Sequence, residues 1–204
     1  MPIRCENLMK SYGDKDVLNK FSAEFPDKGV TCLTAPSGAG KTTLLHLLAG
    51  IIIPDGGRIE GISGKRIAVA FQTPRLLPWL TAAQNVALVL GDRKRFIPEA
   101  IEWLAQVELE PEAGAYPDEL SGGMKQRVSI ARALAYGGDC VLLDEPFNGL
   151  DEALAHRIWE KIRNRFSSGC IICALHDLTF AKEIADNFVA ISSGVTKEEE
   201  KGKK

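Results

Sequence analysis

Val30-Thr31-Cys32-Leu33-Thr34, Ala35-Pro36-Ser37-Gly38-Ala39-Gly40-Lys41-Thr42-Thr43 and Leu44-Leu45-His46-Leu47-Leu48-Ala49-Gly50 follow one another without a gap, and this run decides the fold. The first segment is a short apolar strand, and the last is a helical run closed by Gly50. The loop between them fits G-x-x-x-x-G-K-[ST] at every defined position except the first, where Ala35 stands in place of glycine. Successive backbone N–H groups turn inward at such a loop and meet phosphates at the positive end of the following helix. Pro36, Ser37, Gly38, Ala39 and Gly40 form that cradle. Lys41 supplies a full charge to the β- and γ-phosphates, Thr42 offers a hydroxyl to Mg²⁺, and Thr43 can reach an α-phosphate oxygen. Ala35 costs about 1 kcal/mol or more if its position needs φ above zero. The intact remainder of the loop argues that it does not.

Working outward, Val141-Leu142-Leu143 is another apolar strand, and it ends in the adjacent carboxylates Asp144 and Glu145. Ligands of parallel sheets bind beyond the C-terminal strand ends, where a phosphate loop also sits. Asp144 can then hold Mg²⁺ through water, and Glu145 can polarise an attacking water. An acidic pair closing a strand is commonplace, but downstream of a phosphate loop it becomes a signal for nucleotide hydrolysis.

Short strand patterns fill the first thirty or so residues, with turns at Gly13 and Pro26-Asp27-Lys28-Gly29. Pro54-Asp55-Gly56-Gly57 reads as a turn and residues 66–71 as a strand. Residues 73–119 carry a helical pattern punctuated by Pro98, Pro111 and Pro117. Residues 121–135 form one helix, capped by Ser121 and closed by Gly137-Gly138. Residues 140–143, 170–175 and 188–191 read as strands, and 152–166 and 180–185 as helices. Leu154, Ile158, Ile162 and Phe166 fall on one helical face. Strand–helix alternation on both sides of an all-helical middle predicts a parallel α/β core with an inserted helical lobe.

Composition narrows the classes. The 204 residues are 45% hydrophobic and 25% charged, which excludes a disordered chain, a collagen or a coiled coil. Lys and Arg number 25 against 27 Asp and Glu, so the basic excess of a nucleic-acid binder is missing. No apolar run approaches the ~18 residues of a bilayer span. Met1-Pro2-Ile3-Arg4-Cys5-Glu6 lacks the plan of a signal peptide, so a cytosolic chain is expected. Five cysteines without an export signal argue against a disulfide framework. Cys170 and Cys173 lie in a strand with no second ligand pair nearby, and Cys32 and Cys140 read as small core residues. His46 and His156 have no motif context. Residues 195–204 form a charged tail expected to be solvated and disordered.

Leu120-Ser121-Gly122-Gly123-Met124-Lys125-Gln126-Arg127, continuing as Val128-Ser129-Ile130-Ala131-Arg132-Ala133-Leu134, resembles the signature motif of the ATP-binding cassette ATPases. Ser121 caps a helix whose first turn is glycine-rich, so backbone N–H groups and a hydroxyl can approach an anion closely. The same helix turns Met124, Val128, Ala131 and Leu134 toward a core. The resemblance spans about residues 3–194, with the motifs in the family's order. It implies a P-loop NTPase core with a mostly parallel sheet, an N-terminal antiparallel β portion and an inserted helical subdomain. It further implies a single domain over 1–194, in which 1–71 carries the β portion and P-loop core, 72–135 the helical subdomain and 136–194 the remainder of the core. By resemblance, Tyr12 stacks on adenine, Gln72 senses Mg²⁺ and the γ-phosphate, and His176 contacts the γ-phosphate. With Glu145, these last two make the catalytic set, while Thr42, Gln72 and Asp144 hold the metal. Asn148-Gly149-Leu150-Asp151 matches a loop that crosses a dimer interface, though its first two residues depart from the more usual Ser-Ala. Ser121, Gly122 and Gly123 would face the P-loop of a second copy, giving an ATP-dependent, head-to-tail homodimer.

Thr73-Pro74-Arg75-Leu76-Leu77-Pro78-Trp79-Leu80-Thr81 places large apolar residues where family members dock a membrane partner. Two prolines keep the segment irregular, and irregular loops sit at surfaces. Ala82-Ala83-Gln84-Asn85-Val86-Ala87-Leu88 resembles importer subunits, in particular the nitrate, sulfonate and taurine group. The resemblance thus implies ATP and Mg²⁺ as cofactors, transmembrane permease subunits as partners, a solute-binding protein indirectly, and no nucleic acid. It places the chain in the cytoplasm, peripheral on the inner face of the cell membrane. An exporter or lipid-extracting system is the alternative that stays open. Chromosome-organising cassettes would carry a long coiled-coil insertion between Lys41 and Ser121, and translation factors two cassettes. A simple P-loop kinase would not need Ser121-Gly122-Gly123.

Overall fold

Gly13 takes φ 61, and with Asp14 it reverses the chain between two long strands. These are β1 (Ile3–Tyr12) and β2 (Lys15–Phe25); β3 (Gly29–Thr34), α1 (Lys41–Leu48) and β4 (Gly56–Glu60) follow. Next come β5 (Ile67–Ala70), α2 (Ala82–Ala87), α3 (Ile97–Gln106), 3₁₀ turns at Glu110–Glu112 and Pro117–Glu119, α4 (Gly122–Tyr136), β6 (Cys140–Asp144) and α5 (Glu152–Arg165). The order closes with β7 (Cys170–Ala174), α6 (Leu178–Ile184) and β8 (Asn187–Ala190). The computed structural model describes residues 1–36, 38–92, 94–166 and 169–191, so Ser37 and the 195–204 tail lie outside the described residues. The chain divides into two compact units, Met1–Lys65 with Cys170 onward, and Arg66–Gly169.

In the first unit, β1 pairs antiparallel with β2 on one side and β4 on the other. Gly56 and Gly57, which read as part of a turn, instead open β4. A Cβ on Gly57 would meet the carbonyl oxygen of Asn7 at 2.3 Å, and its φ is 79. Close strand approach and a turn both call for glycine, so the residue type does not separate them. A second, parallel layer has β3 between β7 and β8, with Leu33 opposite both Ala174 and Val189. Every residue of β7 is buried, as is most of β3, which is why both read as unbroken apolar runs. Leu44, Leu45, Leu47 and Leu48 of α1 are buried as well. Cys32 and Cys173 are direct cross-strand partners with sulfurs 3.1 Å apart. Contact with Cys32 and burial push the Cys173 thiol far up, and burial pushes Cys5 to about 12. All five cysteines are buried free thiols, as the apolar settings of Cys32, Cys140, Cys170 and Cys173 predict.

The second unit builds helices around the parallel pair β5 and β6, in register at Ile67 and Cys140. The helical pattern of residues 73–119 resolves into α2, α3 and the two 3₁₀ turns. Pro98, Pro111 and Pro117 sit in the first turns of these elements, where the missing N–H costs nothing. Residues 73–81 are not helical. Asn85, fully buried, holds them: its Oδ1 accepts from the Leu77 N–H at 2.8 Å, and its Nδ2 donates to the carbonyls of Leu77, Leu80 and Thr81. Arg132 donates to the carbonyls of Pro74 and Arg75. On α5 the buried face is Ala155, Ile158, Trp159 and Ile162 rather than the expected 154–158–162–166 stripe. Trp159 rotates the helix inward, its ring edge-on to Phe147 at 6.2 Å.

Glu108, past the end of α3, is clamped by Arg157 through two bonds of 3.1 Å and by Lys161 at 3.2 Å. The Arg157 guanidinium, then Lys161, hold the carboxyl at about 2 against an ordinary 4.5. The folded value lies below the unfolded one, so this cluster stabilises fully above about pH 4.5 and loses its effect as pH falls toward 2. Acid titration of unfolding should show wild type more stable than Glu108→Gln at pH 6, with the two curves converging below pH 4. Parallel curves would overturn the assignment.

Candidate functional site

Gly40 caps α1 at φ 101, a conformation closed to other residues at low cost. A Cβ there would also lie 2.7 Å from Val17 Cγ1, so the loop can press against β2 only through glycine. Gly38 has φ 74. Ala35 is not among the described residues with positive φ, so alanine introduces no left-handed strain at the loop's first position. Lys41 is 6% exposed, and its Nζ curls back to donate to the carbonyls of Ala35 at 3.0 Å and Pro36 at 3.5 Å. The Lys41 ammonium is thus held by carbonyl dipoles at the N-terminal end of α1, where a helix favours negative charge.

The tip of the β1–β2 hairpin completes this cradle. Tyr12, half exposed, together with Lys15 and Val17, shares a cavity of about 310 Å³ with Gly38, Gly40 and residues 41–43. The size suits a small molecule rather than a macromolecule. His176 is exposed and lies two residues past the end of β7, while the phosphate loop follows β3. The two strands are adjacent and parallel, so both groups leave from the same end of the layer.

In the second unit, the C-terminal ends of β5 and β6 carry the other predicted residues. Asp144 is 2% exposed and ends β6. Glu145 follows at φ 49, an uncommon conformation for a residue with a side chain. Gln72 Nε2 donates to Glu145 Oε2 at 3.0 Å, and Asn148 Nδ2 reaches the same oxygen at 3.4 Å. Ser121 caps α4, its hydroxyl accepting from the Met124 N–H at 3.3 Å. Ser121 and Gly122 are exposed, and a Cβ on Gly122 would point into open space. A Cβ on Gly123 would lie 2.9 Å from Leu150 Cδ2, so the glycine lets that side chain pack close above it.

Tyr12, Pro36, Gly38, Ala39, Gly40, Lys41, Thr42, Thr43 and His176 therefore belong to the first unit, and Gln72, Ser121, Gly122, Gly123, Asp144 and Glu145 to the second. Ser37 lies outside the described residues. Lys15 and Val17 were not singled out by their sequence context, and Asn148 was read only as part of a loop crossing a dimer interface, not as a partner of Glu145. The signal available for Lys15 and Val17 was alternation along β2 beside Tyr12; for Asn148 it was the departure from serine.

The family model for ABC transporters matches residues 18–148. The aliphatic sulfonates import ATP-binding protein of Agrobacterium fabrum is 37% identical over 200 residues, covering 92% of this chain and 70% of that protein. The sulfate/thiosulfate import ATP-binding protein of Caulobacter vibrioides is 34% identical over 213 residues, covering 95% of this chain and 63% of the relative. Among solved structures, a dimeric ATP-binding cassette in a post-hydrolysis state with ADP and Pi superposes at TM-score 0.86 and 26% identity, over 96% of each chain.

Proposed function

The chain belongs to the ABC transporter ATPase family, and on that premise we propose that it is the ATP-hydrolysing subunit of an importer of a small solute. The observation that carries the reading is that one unit holds a glycine-rich loop around Lys41 while the other holds a carboxylate, Glu145, bonded by Gln72 at 3.0 Å and next in sequence to the buried Asp144. Import as the direction is supported by the relatives, which are named for import of sulfonates and of sulfate or thiosulfate. The solute itself stays at the level of a small molecule.

In this reading Tyr12 stacks on the base, and the backbone N–H groups of residues 38–41 with Lys41 Nζ bind the phosphate chain. Glu145 takes the proton of the attacking water, and His176 and Gln72 contact the γ-phosphate. Mg²⁺ fits the donor set: the Thr42 hydroxyl, the Asp144 carboxylate and the Gln72 amide oxygen are all hard oxygen ligands. No cluster of three or more His, Cys, Asp or Glu exists among the described residues to cage a metal. One carboxylate plus substrate phosphates is the usual way Mg²⁺ is held, and it would neutralise phosphate charge there. Ser121, Gly122 and Gly123 present an open helix N-terminus to the nucleotide of a second copy, so two copies close head to tail around ATP and part after hydrolysis. Residues 72–135 act as the helical subdomain of a single domain.

No helix among the described residues is long and apolar enough to cross a membrane. Attachment to the inner face of the membrane then runs through a permease, whose own receptor would be a solute-binding protein. Trp79 is 68% exposed on a loop pinned by Asn85 and Arg132, and such an anchor suits a partner pocket. Tagged chain should retain a multi-span membrane protein from detergent-solubilised membranes of its host. Trp79→Ala should reduce that retention at least tenfold while ATP turnover of the isolated chain stays within twofold. Undiminished retention would remove Trp79 from the interface, and a chain without ATPase activity would overturn the function.

A further inference from the structure

Tyr12 and Lys15 are direct cross-strand partners at the hairpin tip, and such partners share a face of the sheet. Val17, two residues along β2, falls on that face too. The hairpin therefore turns an aromatic ring, an aliphatic group and a cation together toward the cavity above the phosphate loop. Among the described residues lining it, Lys15 and Lys41 are the two cations.

The two lysines differ in how they are held. Lys41 is buried and fastened to the loop's own carbonyls. Lys15 is exposed, with its Nζ 3.5 Å from the Gly38 carbonyl, too long to hold the side chain in place. No carboxylate lies within ion-pair distance of it among the described residues. Lys10, on the same hairpin, is paired with Asp55 at 2.7 Å. Lys10 is thus neutralised by the fold, and Lys15 is left uncompensated at the rim of an anion cradle.

We infer that Lys15 is a nucleotide-binding residue, a second cation that closes over the phosphate chain from the hairpin side while Lys41 holds it from the loop. The inference rests on the nucleotide reading above and adds a residue to it. An exposed ammonium on a flexible stem can swing about the Gly38 carbonyl without moving the backbone. Its contribution is a charge–charge attraction, so it grows with the ligand's charge and weakens with salt.

The test is a titration of wild type, Lys15→Met and Lys15→Arg with ATP, ADP and adenosine at low and high KCl. Lys15→Met should weaken ATP binding about tenfold, ADP several-fold and adenosine not at all, and should flatten the salt dependence. Lys15→Arg should restore ATP binding to within about threefold. In turnover, KM for ATP should rise with kcat within twofold, and the ligand-free melting temperature should not change because the side chain is exposed. Equal losses for ATP and adenosine, or no loss for ATP, would overturn the inference. Failure of the wild-type chain to bind ATP would instead overturn the nucleotide reading on which it rests.

Discussion

Glu145→Gln is expected to lower ATP turnover by at least two orders of magnitude while ATP binding survives. The substitution keeps size and shape, so the amide oxygen can still accept from Gln72 and Asn148, now 3.0 and 3.4 Å from the carboxylate oxygen. It removes the proton acceptor, and loss of a general base typically costs 10²- to 10⁴-fold. Because the nucleotide is retained, size-exclusion chromatography of the variant with ATP should show a dimer that wild type forms only transiently. Turnover within fivefold of wild type would remove Glu145 from its proposed role.

Trp159→Ala should be the most destabilising single truncation, at about 3–5 kcal/mol. The side chain is 1% exposed and packs edge-on against Phe147. A loss of that size is a large share of the ~5–15 kcal/mol that holds a typical domain folded. Trp159→Phe should lose far less. It keeps an aromatic ring near Phe147 and deletes a buried Nε1–H that has no hydrogen-bond partner among the described residues. Denaturant midpoints of the three proteins would decide the matter, and a Trp159→Ala cost below about 1 kcal/mol would show that the site collapses around the gap. Phe147 stands between Glu145 and Asn148, so the alanine variant should also lose turnover as that loop loosens.

The same pair of positions shows where sequence reading stops. The 3.6-residue period placed Ile158 and Ile162 on the buried face, and both are there. It also chose Leu154 and Phe166, which end up half exposed, because a tryptophan one residue off the stripe fills more space than either. Periodicity counts apolar positions but carries no information on volume. Asn85 is a parallel case: polar and inside an apolar run, it gave no local sign that four backbone groups of residues 77–81 would converge on it.

What the sequence determined by itself are features whose physics is local. The phosphate loop, the Ser121 cap, the Gly137 closure and the strands ending at Thr34 and Asp144 each depend on a few neighbouring residues and their allowed backbone angles. The resemblance carried by residues 120–134 extended that reading to the family, which the matching of residues 18–148 bears out. Tertiary structure decided everything that depends on what lies opposite. Gly57 became a strand residue because Asn7 passes within reach, Gly123 lets Leu150 pack close above it, and Lys15 reached the cavity because Tyr12 is its cross-strand partner. For the two glycines the deciding neighbour is many residues away along the chain, and for Lys15 it lies across a hairpin turn; in all three, proximity in space is the property that a linear pattern does not contain.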